Sequence, residues 1–188
     1  AYEGLVPDNY TMPQRYTHIL SKGVDETGYF PIYMNGVVSA FNFGDCSLPF
    51  TLDSSLLFLA KRFNKPELAS YLLNIKSLYG SEITGRDTVY ALAFYDPQLH
   101  NLDSLSALPL DKFHASETDV NILSMRSSFN VNTLHRDNAF VAMQGGKNLA
   151  NHMGYSMGTF VLDMNGKRFV KQHGSGNYAW DGYNGGAQ

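Results

Sequence analysis

Six histidines, His18, His100, His114, His135, His152 and His173, are the side chains best suited to move protons near neutral pH. No two stand four residues apart, the spacing that places two metal ligands on one helix face, although His152 and His173 can approach across neighbouring strands. His152 differs from the others in its setting. Asn151 precedes it, the glycine-bearing run QGGKNLA lies before it, and the apolar run TFVLD follows. A histidine that enters a sheet from a flexible loop is held by its backbone while its ring faces a cleft. The same setting also describes a polar residue in an ordinary hairpin, and the residues themselves leave that choice open.

Composition narrows the field. The 188 residues fit one ordinary domain or a substantial piece of a larger protein, with apolar residues at 44% and aromatics at 13%, enough to bury a core. Tyr and Phe, 12 each, suit core packing first and the flat C–H faces of sugars second. A formal charge of −3 gives no electrostatic reason to propose nucleic acid or an anionic membrane as partner. Cys46 is the single cysteine, which excludes an intrachain disulfide and a cysteine-rich zinc site. No segment has the length and apolarity of a membrane span. The start, AYEGLVPDNYTMPQRY, lacks the basic-then-apolar order of a signal peptide, so an export signal is expected to lie upstream or to have been removed. Walker, dinucleotide, G-x-S-x-G and H-E-x-x-H motifs are all missing.

Several elements must position His152. The first forty residues are turn-rich and predict surface or rim. From Gly44, GDCSLPFTLDSSLLFLAKRFNKPELASYLLNIKSLYG predicts a helical hairpin, with Asp53 or Ser54 capping the first helix and Asn64, before Pro66, capping the second. Asp87 to Phe94 predicts a third helix. DPQLHNLDSLSALPLDKFHA carries two prolines and no helical period, and reads as a linker. Short strands then follow in VNILSMRSSF, AFVAMQGG, GTFVLDM and KRFVKQ, the last two hinged on Asn165-Gly166, the strongest short hairpin signal. Helices first and antiparallel strands afterwards predict an α+β fold. Three helices do not close a domain, and the sheet lacks partners for its edges, so a longer native chain is expected.

The stretch ILSMRSSFNVNTLHRDNAFVAMQGGKNLANHMGYSMGTFVLDMNGKRFVKQHGSGNY resembles the β-domain of the heparinase II/III-like polysaccharide lyases. There an arginine-serine strand, a glycine-rich turn, a histidine motif, a strand, NG, a strand and G-x-x-x-Y follow one another. FNFGDCSLPFTLDSSLLFLAKRFNKPEL resembles the closing helices of that family's (α/α) toroid. The resemblance implies the end of a toroid with a linker over residues 1–106, and the start of an antiparallel, β-sandwich-like domain over residues 107–188.

The implied chemistry is β-elimination on a polysaccharide containing uronic acid. The uronate carboxylate is neutralised, a base takes the C5 proton, and an acid protonates the departing C4 oxygen. The family's catalytic histidine falls on His152. Asn151, Arg126 and Tyr155 are the candidate substrate-binding residues. A locally paired strand arginine is the competing role for Arg126, and packing is the competing role for Tyr155, whose family equivalent is usually apolar. The catalytic tyrosine and the carboxylate neutraliser are expected upstream of residue 1, and later strands downstream of Gln188. The family's H-x-H-x-D-x-G motif here reads HMGYSMG, so its zinc-binding histidine is replaced by Gly154 and its acidic residue by Ser156. Gln172-His173 replaces an aspartate that binds metal in some members. No metal and no cofactor are therefore expected.

The expected partner is an acidic polysaccharide or oligosaccharide, not nucleic acid or membrane, with the oligomeric state left open. The resemblance implies a periplasmic or secreted location. Two alternatives stand beside the lyase: a non-catalytic carbohydrate-binding relative, and a structural domain that shares only the fold.

Overall fold

The computed structural model describes residues 23–44, 53–79, 86–114, 120–129, 138–147 and 156–172. The fold is α+β. Among the described residues, four helices, α1 (Tyr29–Met34), α2 (Ser55–Phe63), α3 (Pro66–Tyr79) and α4 (Arg86–Phe94), precede five strands: β1 (Asp111–His114), β2 (Val120–Arg126), β3 (Phe140–Gly146), β4 (Phe160–Met164) and β5 (Lys167–Val170). The strands form one antiparallel sheet in chain order, β1-β2-β3-β4-β5. The chain divides into two compact units, residues 1–32 with 52–108 and residues 33–51 with 109–188.

In the helical unit, α2 and α3 form the expected hairpin. Asn64 takes φ 52° and ψ 50°, a left-handed conformation that asparagine tolerates, and so ends α2 instead of opening α3. Pro66 occupies the first position of α3, where its missing N–H has no partner to lose. Leu56, Leu57 and Ala60 of α2 and Leu68, Ala69, Leu72 and Ile75 of α3 are buried, a helical apolar stripe on each. The Asp53 carboxylate, not the Ser54 hydroxyl, caps α2, accepting from the Ser55 N–H at 2.8 Å. Asp87 ties α2, α3 and α4 together. Its Oδ1 accepts from the Ser54 N–H at 2.6 Å, and its Oδ2 pairs with Lys76 Nζ of α3 at 3.1 Å.

Burial acts to raise the Asp87 carboxyl, but the Ser54 N–H and the Lys76 ammonium outweigh it and hold the group below its ordinary value. A depressed carboxylate contributes stability above its unfolded pKa of about 3.9, and that contribution fades as pH falls through the lower folded value. Asp87→Ala is therefore expected to destabilise the helical unit by about 1–3 kcal/mol at pH 7. Urea unfolding followed by circular dichroism should show the gap from the parent protein shrinking only below about pH 4.

The sheet unit is built around one transverse row. Arg126, Phe140, Asp163 and Arg168 face one another across β2, β3, β4 and β5 on the inner side of the sheet. Asp163 is fully buried. Its Oδ1 accepts from Arg168 Nε at 2.6 Å, and its Oδ2 accepts from Arg168 Nη2 at 3.0 Å and from the Val37 and Val38 N–H groups at 3.1 Å each. Arg168 also donates to the Ser39 and Ala40 carbonyls, both at 2.8 Å. Asn35 and Ala40 pair as an isolated antiparallel bridge, so residues 36–39 form a hairpin tip laid on this row.

That tip corrects the expectation of a surface or rim segment. Tyr33, Met34, Asn35, Val37, Ala40, Phe41 and Asn42 are all buried. The sequence lacks a helical or strand period here, and the backbone groups of Asn35, Val37, Val38, Ser39 and Ala40 are met by side chains distant in the chain. Gly36 is required by close approach: a Cβ there would lie 2.3 Å from Asp163 Oδ2 and 2.7 Å from the Phe140 ring. β1 is also a departure, since it lies in the stretch that reads as a linker. All four of its residues are exposed, so it carries no apolar alternation to reveal it.

The outer side of the sheet is apolar. Phe113, Leu123, Met143 and Phe160 form one cross-strand row, and Met125, Val141 and Leu162 form the next. Phe113 is 61% exposed, and Met125, Met143 and Phe160 each exceed 40%.

Removing one partner of a buried ion pair strands the other charge, so Asp163→Ala is expected to cost about 3–5 kcal/mol. Asp163→Val with Arg168→Met should recover only part of this, because the Val37 and Val38 N–H groups lose their acceptor. Gly36→Ala, which keeps both charges, should cost about 1–3 kcal/mol through overpacking. Chemical denaturation of the three variants tests the set.

Candidate functional site

The connection between β3 and β4 is the structural setting of the histidine motif. Its base is closed by two backbone bonds: the Gln144 N–H donates to Thr159 O at 2.9 Å, and the Gly158 N–H donates to Gln144 O at 2.8 Å. The β4 side is a tight turn, in which the Thr159 N–H donates to Ser156 O at 3.0 Å and Thr159 Oγ1 donates to the same carbonyl at 2.7 Å. Gly158 has φ 84° in this turn, the positive value that the third position of a type II turn demands. Asn151, His152 and Tyr155 lie within the connection and outside the described residues, as does Gly154. Both described ends of the connection leave from one end of the sheet.

Arg126 is the one candidate site residue among those described, and it lies at the other end of β3, opposite Phe140. It is 7% exposed, and its Nη2 donates to Asn35 O at 2.8 Å. The guanidinium carbon sits 4.1 Å from the centre of the Phe129 ring and 5.2 Å from that of Phe140. A flat, weakly hydrated cation suits such a stack, and lysine would not reproduce it. The structure thus places Arg126 in a local, buried set of contacts.

Ser156, at the position where the resembled family carries an acidic residue, is 4% exposed, and its Oγ accepts from Gln172 Nε2 at 3.3 Å. Gln172 O in turn accepts from Asn42 Nδ2 at 3.0 Å. These are neutral groups engaged with one another. Among the described residues no group of three or more His, Cys, Asp or Glu side chains is arranged to hold a metal ion. His173 lies outside the described residues.

Sequence reasoning missed the residues that fix this part of the molecule. Asp163 and Arg168 carried a signal: Asp163 shares the strand phase of buried Val161, and the Asn165-Gly166 turn sets Arg168 opposite it. A charge in the apolar phase of a strand, with an opposite charge across a tight hairpin, marks a buried pair. Gln144 gave no such signal. Searches against protein-family models and against curated proteins find no match for this sequence.

Arg126→Lys keeps the charge and loses the planar stack, and is expected to lower the thermal midpoint by several degrees, equivalent to about 1–2 kcal/mol. A thermal melt of the variant beside the parent protein checks it.

Proposed function

We propose that this chain is part of a polysaccharide lyase of the heparinase II/III-like type. It acts on a polymer containing uronic acid, and His152 transfers a proton during β-elimination. The observation that carries this reading is the β3–β4 connection. The resemblance sets the catalytic histidine between two strands, and the β3–β4 pairing with its tight Ser156–Thr159 turn is the framework that order of motifs calls for. The Asn165-Gly166 hairpin follows in the expected place, with φ 51° and 69°. The helical unit is read as the end of an (α/α) toroid. The exposed apolar outer face of the β-sheet supports a sandwich, because such a face calls for a further layer upon it.

In this reading the C5 proton of the uronate passes to a base as the C4–O bond breaks, a C4–C5 double bond forms, and the departing oxygen takes a proton from an acid. His152 serves one of the two transfers, since an imidazole titrates near the working pH and exchanges protons in either direction. Asn151 and Tyr155 flank it as substrate contacts, while Arg126 holds the fold. Gly154 offers no side-chain ligand and the Ser156 hydroxyl is taken up by Gln172, so proton transfer here runs without the family's zinc. The substrate is an acidic polysaccharide or oligosaccharide met in the periplasm or outside the cell.

The test is release of unsaturated uronide, followed in the near ultraviolet, over a panel of acidic polysaccharides. His152→Ala is expected to lower the rate by about 10²–10⁴-fold, and a chelator to leave it unchanged. Product that persists without His152 refutes the assignment. Glycan binding that survives His152→Ala, with no turnover by the parent protein, identifies the non-catalytic relative instead.

A further inference from the structure

Cross-strand partners share a face, so Asp111, opposite Met125, and Lys167, opposite Met164, both stand on the outer side of the sheet. Each is exposed. Asp111 lies on β1, one lateral edge, and Lys167 lies on β5, the other. Among the described strand residues no other charged side chain belongs to this side: Lys112 and His114 share the face of Ser124 and Ile122, and Arg126, Asp163 and Arg168 lie in the inner row. Between the two charged rims the face is neutral. Phe113, Met125, Met143, Phe160 and Met164 are each at least 40% exposed, with Leu123, Val141 and Leu162 half-buried among them.

Large apolar side chains offer about 200 Å² each, so the five exposed ones leave about 450 Å² of contiguous apolar surface in water. A patch of that size marks a binding face. With its half-buried residues and charged rims it approaches the roughly 800 Å² that each partner gives to a standard interface. The charges select the partner. A two-fold axis parallel to the strands sets two such faces together about 10 Å apart and carries β1 of one copy over β5 of the other. Asp111 stands in the cross-strand row of Leu162 and Lys167 in the adjacent row of Met164. The two are therefore offset by about 7 Å along the strands, a span within the reach of a lysine side chain. An axis across the strands would instead set β1 over β1 and β5 over β5, like charge over like. The face is thus complementary to itself in one arrangement, with opposite charges meeting at both rims and apolar side chains meeting between them.

We propose that the outer face of the sheet is a homodimer interface, in which two copies pack sheet against sheet about a two-fold axis parallel to the strands and Asp111 of each copy pairs with the partner subunit's Lys167. The second copy supplies the layer that this face calls for. The interface does not depend on His152 or on the lyase reading.

Sedimentation velocity of the native-length chain, over a range of concentrations, tests it. The expected result is a dimer at micromolar concentration. Met143→Glu sets an unpaired charge in the middle of the face and is expected to weaken the dimer by about a hundredfold or more, with the far-ultraviolet circular dichroism of the parent. Asp111→Lys and Lys167→Asp, both at exposed rim positions, are each expected to weaken it by about tenfold. Combining the two exchanges the rims and should restore most of the affinity, an outcome that a purely apolar contact would not give. A native-length chain that stays monomeric throughout would overturn the proposal, leaving another segment of the same chain to cover the face. A dimer indifferent to Met143→Glu, or a double variant no tighter than the single ones, would overturn it as well. Uronide release is read separately: an active monomer refutes the interface and spares the lyase reading, and a dimer of the expected behaviour without turnover does the reverse.

Discussion

A carboxylate with no access to water must find every one of its bonds inside the protein, and Asp163 sets that constraint for the sheet unit. Arg168 supplies a two-pronged grip, and two successive backbone N–H groups from a hairpin tip some 125 residues earlier in the chain supply the rest. Neither source is sufficient alone. The arginine neutralises the charge, while Val37 and Val38 complete the oxygen shell. Because a pair of this kind is weak evidence for net stability, its value lies in what it specifies. It fixes where residues 35–40 lie and sets Asp163 directly opposite Arg168, where the β4–β5 register shifts.

That specification has a direction. The row of Arg126, Phe140, Asp163 and Arg168 sits where β3 begins, and the β3–β4 connection departs where β3 ends. Charge pairing and the buried hairpin tip hold one end of the sheet, leaving the opposite end to carry a segment with Asn151 and His152. A reacting group gains most from a rigid framework beneath a connecting segment. The two backbone bonds at Gln144 mark where the framework stops and that segment starts.

Much of this was legible from residues alone, for local reasons. The strands from Val120 onward are short strand-like runs bounded by glycine, asparagine or aspartate, and Asn165-Gly166 has the backbone geometry its sequence prefers. The helical hairpin announced itself through Leu and Ala spacing. What stayed hidden depends on contacts distant in the chain. Residues 33–42 look like a loop because Asn35, Val37, Val38, Ser39 and Ala40 find bonding partners in Arg126, Asp163 and Arg168. β1 looks like a linker because an exposed edge strand has no apolar face to show. The role of Arg126 turns on Phe129 and Asn35, which no spacing rule connects to it. The histidine motif was legible through resemblance, not through geometry, which is why its chemistry stands as a proposal.

The most direct test of that chemistry is a crystal structure of the His152→Ala protein, in its full native length, bound to a uronic-acid oligosaccharide from a polymer the parent protein cleaves. The lyase account requires the C5–H of one uronate to face the position vacated by the imidazole, within reach of Asn151, at the end of the sheet where β3 gives way to β4. An oligosaccharide seated elsewhere, with its C5–H turned away from residue 152, would contradict the account.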